Sequence, residues 1–300
     1  MVIVAETRGS MLTILMILIV KACLCDPDPD PICDIIAATN IESQADYSMW
    51  SCDVNGQPVS NPCASRWYGV VCDDIALDGN ITELTISGDT FSDVNILIGT
   101  IPTSIEYISY LDTLIMIESQ IYGTIPSGIG QLMYLSLLHL YDNVLSGTIP
   151  DSISKLSAIL HQLELNGNTL TGTIPESFGS LTFLHEMFIN QNHLTGMIPS
   201  TFGNMRGIEV LYLQNNLLTG SIPPALFSAT KMVAVHLSSN LLTGQLPFNI
   251  GNCTSLVEFL TSDNQLTGTI PTSIANLINI YRFQVSSNMF HGLLPTGLCQ

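Results

Sequence analysis

Residues 208–223 read Ile-Glu-Val-Leu-Tyr-Leu-Gln-Asn-Asn-Leu-Leu-Thr-Gly-Ser-Ile-Pro, and this stretch decides the fold. Its ending, Gly-x-Ile/Leu-Pro, recurs along the chain every 24 residues, with a single step of 25 between Gly147 and Gly172. A fixed period of this length is the signature of a solenoid built from similar stacked units. The repeated glycines are Gly99, Gly123, Gly147, Gly172, Gly196, Gly220, Gly244, Gly268 and Gly292.

Each unit also contains a short strand, in which apolar residues such as Leu211 and Leu213 alternate with side chains that point outward. Because every unit returns the chain to the start of the next rung, the strands are predicted to form one parallel sheet. The Asn after each strand can satisfy buried backbone groups of neighbouring rungs. These residues are Asn143, Asn168, Asn192, Asn216, Asn240, Asn264 and Asn288. A second apolar column on the return path comprises Ile129, Ile153, Phe178, Phe202, Leu226, Ile250 and Ile274.

The single step of 25 residues predicts an insertion with a defined place. A one-residue slip inside a strand would turn its inward side chains outward, so the extra residue must lie elsewhere. We expect it on the return path before Leu160, near 157–159, with Leu163 and Leu165 still buried.

Composition excludes several classes of function. Seven Lys and Arg residues stand against 25 Asp and Glu residues, a formal net charge of −18 over 300 residues. So few cations cannot neutralise a row of phosphates, which argues against nucleic acid as a partner. Hydrophobic residues make up 46% of the chain, which argues against intrinsic disorder.

The N-terminus has the pattern of a secretory signal peptide, predicted to comprise residues 1–25. Arg8 precedes a short apolar run over 11–20, and small residues come before Asp26. The run is too short for a stable membrane span, and no longer apolar run follows it. An uncleaved anchor is the competing interpretation. The expected location is therefore extracellular, or the cell surface if the full-length protein continues into an anchor.

The chain has eight cysteines, of which six lie outside the predicted signal peptide. Four of these six lie within 40 residues, which indicates a disulfide framework in an oxidising compartment. A zinc site is the alternative, but this stretch has no Cys-x-x-Cys pair. We assign residues 26–80 to an N-terminal cysteine-containing cap and residues 81–300 to the repeat array. The four cysteines are Cys33, Cys52, Cys63 and Cys72.

The repeat resembles the plant-type leucine-rich repeat, whose unit reads L-x-x-L-x-L-x-x-N-x-L-[ST]-G-x-I-P. The resemblance covers about residues 81–298. It implies an α/β fold: a right-handed solenoid of nine 24-residue repeats with a parallel sheet on the concave side. Trp67, Gly69, Val70 and Cys72 resemble the family's N-terminal cap, although three residues rather than one separate Cys63 from Trp67.

The resemblance implies a Cys63–Cys72 disulfide, and Cys33–Cys52 is then the plausible second pair. The usual C-terminal cap is not recognisable after Leu298. We interpret the chain as a fragment of a longer product, with protection of the last rung by a partner as the alternative.

Outward strand positions on the concave side are the candidate binding site, because core packing does not dictate their identity. Exposed aromatic side chains on a rigid sheet are typical binding anchors, and an acidic rim favours a partner with a basic surface. The predicted ligand-binding residues are His139, Tyr141, Glu164, His185, Glu186, Phe188, Glu209, Tyr212, Gln214 and His236.

Three functions fit this pattern. The first is a non-catalytic extracellular recognition module that binds a protein or peptide ligand, as receptor-like ectodomains of the family do. The second is an inhibitor of secreted polysaccharide-degrading enzymes, as in the polygalacturonase inhibitors. The third is a structural wall protein or one that adsorbs to a surface such as ice, for which a flat Thr-rich array would be needed. The outward strand columns are too mixed for such an array.

Catalysis or a metal site near His161, Glu164, His185 and Glu186 is conceivable, but an open sheet offers no enclosed pocket. We therefore predict no enzyme activity, no cofactor and no metal. Cys253 falls at an apolar return-path position and is predicted to be a buried free thiol. Asn80 and Asn252 begin glycosylation sequons.

Overall fold

The computed structural model describes residues 2–5, 16–19, 31–39, 62, 70–72, 80–87 and 98–295. With strands numbered in chain order, β1 (Val2–Ala5) and β2 (Met16–Ile19) pair antiparallel with each other. The signal-peptide prediction for this region is not tested by that pairing. No helix within the described part of the chain is long and apolar enough to cross a membrane.

A ten-stranded sheet, the main sheet, runs through the described repeats. Its first strand is antiparallel to the second, and the remaining neighbours are parallel. In chain order, the strands are β3 (Val70–Cys72), β4 (Ile81–Ser87), β6 (Thr113–Ile117), β8 (Leu137–His139), β10 (Gln162–Glu164), β11 (Glu186–Phe188), β12 (Val210–Tyr212), β13 (Ala234–His236), β15 (Glu258–Leu260) and β17 (Arg282–Gln284).

The register of this sheet follows from the 24-residue period. Leu163 pairs with Met187 and Met187 pairs with Leu211, so that equivalent positions stack from rung to rung. All three side chains are buried, and the residues beside them face outward. A continuous apolar core therefore runs the length of the array, as expected when no unit can bury its apolar face alone.

The Asn column forms the predicted ladder. In one rung, Asn192 Oδ1 accepts the backbone N–H of Leu170 at 2.9 Å. Its Nδ2 donates to the carbonyls of Leu165, at 3.0 Å, and Ile189, at 3.3 Å. The same pattern recurs at Asn168, where the amide bridges two rungs in the same way. Asn192 Nδ2 also lies 3.2 Å from the carbonyl of Asn190, so that one side chain bonds to four backbone groups.

The return path consists of short 3-10 helices rather than α-helices. Most follow a proline in extended conformation, such as Pro175 or Pro223, whose fixed φ directs the chain into the turn. The predicted return-path column is buried throughout. The helices are Thr103–Tyr107, Ser127–Gln131, Asp151–Leu156, Glu176–Ser180, Ser200–Asn204, Pro224–Ser228, Ile250–Asn252 and Thr272–Asn276.

The inserted residue lies where the sequence predicts it. The helix Asp151–Leu156 has six residues, and the backbone N–H of Leu160 bonds to the carbonyl of Leu156 at 2.9 Å. In the next rung the equivalent bond joins Leu184 to Leu181, one residue closer in sequence. Leu163 and Leu165 are fully buried, so this prediction is confirmed.

A second set of short strands follows the Asn column, around the repeated glycines. It comprises two parallel three-stranded sheets, joined by single bridges such as Thr173 with Thr195. Gly147 and most of its equivalents have positive φ, a conformation that glycine adopts without strain. The strands are β5 (Ile98–Thr100), β7 (Gln120–Thr124) and β9 (Val144–Ser146) in one sheet, and β14 (Thr243–Gln245), β16 (Gln265–Gly268) and β18 (Met289–Phe290) in the other.

The described part of the cap covers the first rung. Helix α1 (Pro31–Ala38) buries Ile32, Ile35 and Ile36 in the shared core, and Thr39 bridges to Gly99. Cys33 and Cys72 each take part in a disulfide bond. Their predicted partners, Cys52 and Cys63, lie outside the described residues, so the two pairings stay predictions.

Candidate functional site

The outward side chains of the main sheet form the candidate site, here called the main-sheet face. Residue triplets pair in register across it: Glu164 lies beside Phe188, Phe188 beside Tyr212, and Tyr212 beside His236. Because parallel neighbours are about 4.8 Å apart, side chains in one column touch along the array. The strands thus bring the centre of the predicted patch together.

Aromatic rings form a contact series at the centre of this face. Phe188 and Tyr212 meet edge to face with centroids 4.9 Å apart. Tyr212 stacks on His236, with centroids 3.9 Å apart and planes 10° apart. The sequence predicts exposed anchors, whereas all three side chains are half-buried because each packs against its neighbour. They remain outside the leucine core, so their outer surfaces are free for a ligand.

A polar cluster borders the aromatic series on its N-terminal side. His139 Nε2 lies 3.8 Å from Glu164 Oε1 and 3.1 Å from Gln162 Oε1. Gln162 Nε2 in turn donates to Glu186 Oε2 at 3.2 Å. Desolvation raises the pKa of Glu164, His139 acts against this, and Glu186 reinforces it. No Lys or Arg among the described residues pairs with the negative charge of Glu164 or Glu186, so a cationic group nearby would be favoured.

An ion-paired cluster borders the series on its C-terminal side. His236 Nε2 lies 2.8 Å from Glu258 Oε2, and Arg282 donates to Glu258 Oε1 at 3.1 Å. Desolvation lowers the pKa of His236 and outweighs the opposing effect of Glu258. Desolvation acts to raise the pKa of Glu258, but the hydrogen bonds from His236 and Arg282 lower it overall. This carboxylate is therefore compensated, unlike Glu164.

The other predicted residues lie around this centre. Tyr141 is half-buried, and desolvation raises its pKa, with Glu118 adding to the effect. His185 stacks on His161 with centroids 5.4 Å apart, three residues before the aromatic column in each rung. Glu209 is exposed at the same column. The carbonyl oxygen of the Gln214 side chain is buried without a hydrogen-bond partner.

Four residues of this face were missed by sequence reasoning: Gln162, Glu258, Arg282 and Asn190. The first three occupy the strand position two residues before the aromatic column, where Gln162 donates to Glu186 and Arg282 donates to Glu258. Asn190, beside Gln214 in the next column, also has a buried side-chain oxygen without a partner. The 24-residue period could have found them, since it places them in columns of outward positions.

No group of three or more His, Cys, Asp or Glu side chains able to bind a metal occurs within the described ranges. An open depression of about 760 Å³ lies at the last rung, lined by Phe283, Val285 and Phe290, far along the array from Tyr212. The main-sheet face presents aromatic surface, carboxylates and amides, which are groups suited to non-covalent contacts.

The remaining predicted positions lie elsewhere. Cys253 is fully buried and free, and burial raises the pKa of its thiol to about 11, which confirms the inert interpretation. Asn80 and Asn252 are both exposed, so either amide is accessible to a glycosyltransferase. Their modification stays a prediction.

Comparison with known proteins bears on the repeat directly. Family models described as leucine rich repeat match residues 134–156, 158–218 and 182–242. The chain is a leucine-rich-repeat protein of the plant type. Comparison with curated protein sequences finds no match.

Solved structures similar to this leucine-rich-repeat chain include the plant peptide hormone receptor RGFR1 in complex with RGF2. That match has 34% identity and a TM-score of 0.66, and covers 72% of this chain and 32% of that one. The ectodomain of the Arabidopsis thaliana receptor kinase GASSHO1/SCHENGEN3 in complex with CASPARIAN STRIP INTEGRITY FACTOR 2 has 29% identity, a TM-score of 0.74 and coverages of 82% and 28%. The chain thus spans about a third of the length of these receptor structures.

A plant ice-binding protein is also similar, with 26% identity and a TM-score of 0.64. This match covers 86% of this chain and 85% of that one. It differs from the two receptor matches in spanning most of both proteins.

Proposed function

We propose that the chain is a non-catalytic extracellular module that binds a protein or peptide on the main-sheet face, the concave face of the sequence prediction. The observation that carries this proposal is the aromatic series Phe188–Tyr212–His236, set between a polar cluster and an ion-paired cluster. Similarity to a plant peptide hormone receptor, solved in complex with RGF2, supports it. Interface centres are typically aromatic with a polar rim, as here.

The charges around the series favour a basic ligand. On the N-terminal side, desolvation raises the pKa of Glu164, and a ligand cation would stabilise its ionised form. Glu186 adds a second carboxylate within the same cluster. A peptide with a Lys or Arg beside an apolar residue would place its cation at Glu164 and its apolar group at Phe188.

The test is selection from a displayed random peptide library on the wild-type chain, followed by binding measurements on variants. At least one of the substitutions Phe188→Ala and Tyr212→Ala is expected to weaken binding of the selected peptides by about 2 kcal/mol. The matched control is Phe183→Ala, which removes an exposed aromatic on the return path. Equal binding by the double variant and the wild type would place the ligand elsewhere.

A second candidate function is adsorption to ice, which one specific observation favours. The plant ice-binding protein is similar over most of both chains, whereas the two receptors above match over about a third of their own length. The first test is whether the wild-type chain inhibits recrystallisation in frozen solution, with an acidic globular protein of similar mass as control. An effect no larger than that of the control would reject this candidate.

A further inference from the structure

The strands around the repeated glycines present an outward face, the ladder face, that the main-sheet proposal does not use. Counted from each glycine, the residues at −2 and +2 point inward: Leu194 and Ile198, around Gly196, are buried. The residues at −3, −1 and +1 point outward, as the two-residue period of a strand requires. The ladder face is therefore three parallel columns of side chains that run along the array.

Threonine and serine dominate the −1 and +1 columns. The −1 column holds six hydroxyl residues in successive rungs: Ser146, Thr171, Thr195, Thr219, Thr243 and Thr267. The +1 column begins with four threonines: Thr100, Thr124, Thr148 and Thr173. The next four residues of this column are Met197, Ser221, Gln245 and Thr269. Hydroxyls thus recur about 4.8 Å apart along each column and about 6.7 Å apart across a rung.

These side chains are held in one orientation. The hydroxyls of Thr171, Thr195 and Thr219 each donate to the carbonyl of the preceding rung's glycine, at 3.2–3.3 Å. In the +1 column, threonine methyl groups lie over the next glycine: a Cβ on Gly172 would come within 2.8 Å of Thr148 Cγ2. An array ordered before binding loses little conformational entropy when it meets a rigid surface.

The ladder face is also uncharged and partly apolar. None of its three columns contains Asp, Glu, Lys or Arg, although the whole chain carries 32 such residues, 25 acidic and 7 basic. Several of the large exposed apolar side chains of the described residues lie on it, Met197 with 65% exposure among them. The others are Tyr122, Val144, Leu217, Leu241, Met289 and Leu293. Exposed apolar surface of this extent marks an interaction site.

We propose that the ladder face is the surface by which the chain adsorbs to ice. This inference rests on the second candidate function and names its site. An ice plane is flat, uncharged and periodic in two directions, with donors and acceptors at every oxygen. The ladder face shares the absence of charge and the two-directional repeat, and it fixes hydroxyls and methyl groups in rows. The main-sheet face has the same rung spacing, but its columns are mixed and carry charged groups such as Glu258 and Arg282.

The test compares ice adsorption by variants of the full chain, measured as recrystallisation inhibition and as partition of the chain into a growing ice hemisphere. The variant Thr195→Lys/Thr219→Lys places two charges in the −1 column and should lose both activities. The matched control, Thr182→Lys/Thr230→Lys, places the same charges at exposed return-path positions and should keep them. Phe188→Ala/Tyr212→Ala should also keep them.

A gain-of-function variant covers the case in which the charged variant does not fold. Met197→Thr fills a gap in the +1 column between Thr173 and Ser221, and should lower the concentration needed for inhibition. Adsorption by wild type and by both Lys variants alike would overturn the ladder-face assignment and leave ice adsorption standing. Failure of the wild type itself would overturn ice adsorption and the assignment together, without bearing on peptide binding.

Discussion

At the scale of single residues, the Asn column shows how the repeat carries its own hydrogen-bond requirement. A turn inward after each strand leaves backbone groups of two rungs without strand partners, and only a short amide reaches all of them. Asn192 does so with one acceptor and three donor contacts of 2.9–3.3 Å. A buried backbone group left unpaired costs about 1–3 kcal/mol, so the residue type at this position is narrowly constrained.

The substitution Asn192→Ala tests that constraint. It leaves the buried N–H of Leu170 without a partner, whereas the carbonyl of Leu165 still accepts from Asn168, and it should lower the free energy of unfolding by about 2 kcal/mol. Urea unfolding followed by circular dichroism measures the change. Asn204→Ala, at an exposed return-path position, should change it by less than about 0.5 kcal/mol. Equal effects at both sites would contradict the ladder argument.

His236 gives a pH-dependent prediction. Desolvation lowers its pKa in the folded chain, so the unfolded chain takes up a proton first as the pH falls below the ordinary histidine value of about 6.5. Stability is therefore fully present above that value and is lost as the pH falls from it through the lowered pKa of the folded chain. His236→Gln removes the proton uptake, and its unfolding free energy should vary less between about pH 7 and about pH 5 than that of the wild type. Parallel pH profiles for the two chains would show that His236 does not contribute.

At the scale of elements, the irregular rung separates positions that tolerate a length change from those that do not. The extra residue is absorbed at Leu156–Leu160, where Ser157 and Ala158 follow the 3-10 helix. The strand Gln162–Glu164 keeps the register of its neighbours on both sides. Insertions in such exposed connections are tolerated because they leave the core contacts in place.

Deletion of Ala158 should therefore restore the regular spacing with a change in unfolding free energy below about 1 kcal/mol. Deletion of Gln162 shifts the strand by one residue and turns Leu163 and Leu165 away from the core, so cooperative unfolding should be lost. Thermal unfolding by circular dichroism distinguishes the two. A similar loss of stability in both deletion variants would mean that the return path does not tolerate a change in length.

Much of this element structure could be predicted from the sequence, because the features in question repeat. The parallel strands, the Asn contacts, the return-path column and the place of the insertion all follow from one period. The stacking of Tyr212 on His236 could not, since ring orientation depends on packing against both neighbouring rungs. The ladder face could not be predicted either, because the glycine and proline around Thr219 are as typical of turns as of strands, and it is the bridges between rungs that show short strands here.

At the scale of the whole molecule, the main feature is an excess of negative charge. Twenty-five acidic residues face seven basic ones. Within the described ranges, the one carboxylate paired with a Lys or Arg is Glu258, which contacts Arg282 at 3.1 Å. A long solenoid spreads these charges over a large surface, but like charges on neighbouring rungs still repel at low ionic strength.

Moderate salt should therefore stabilise this chain. Raising NaCl from about 10 mM to about 150 mM shortens the screening length from about 30 Å to about 8 Å. This weakens repulsion between carboxylates on different rungs, while only one Arg–carboxylate attraction within the described residues is weakened with it. We expect the Tm measured by scanning calorimetry to rise over this range at constant pH. KCl at equal ionic strength should act equally, since screening does not depend on the cation. A Tm that falls with NaCl would show that attractive pairs outweigh the repulsion, and so contradict the charge argument.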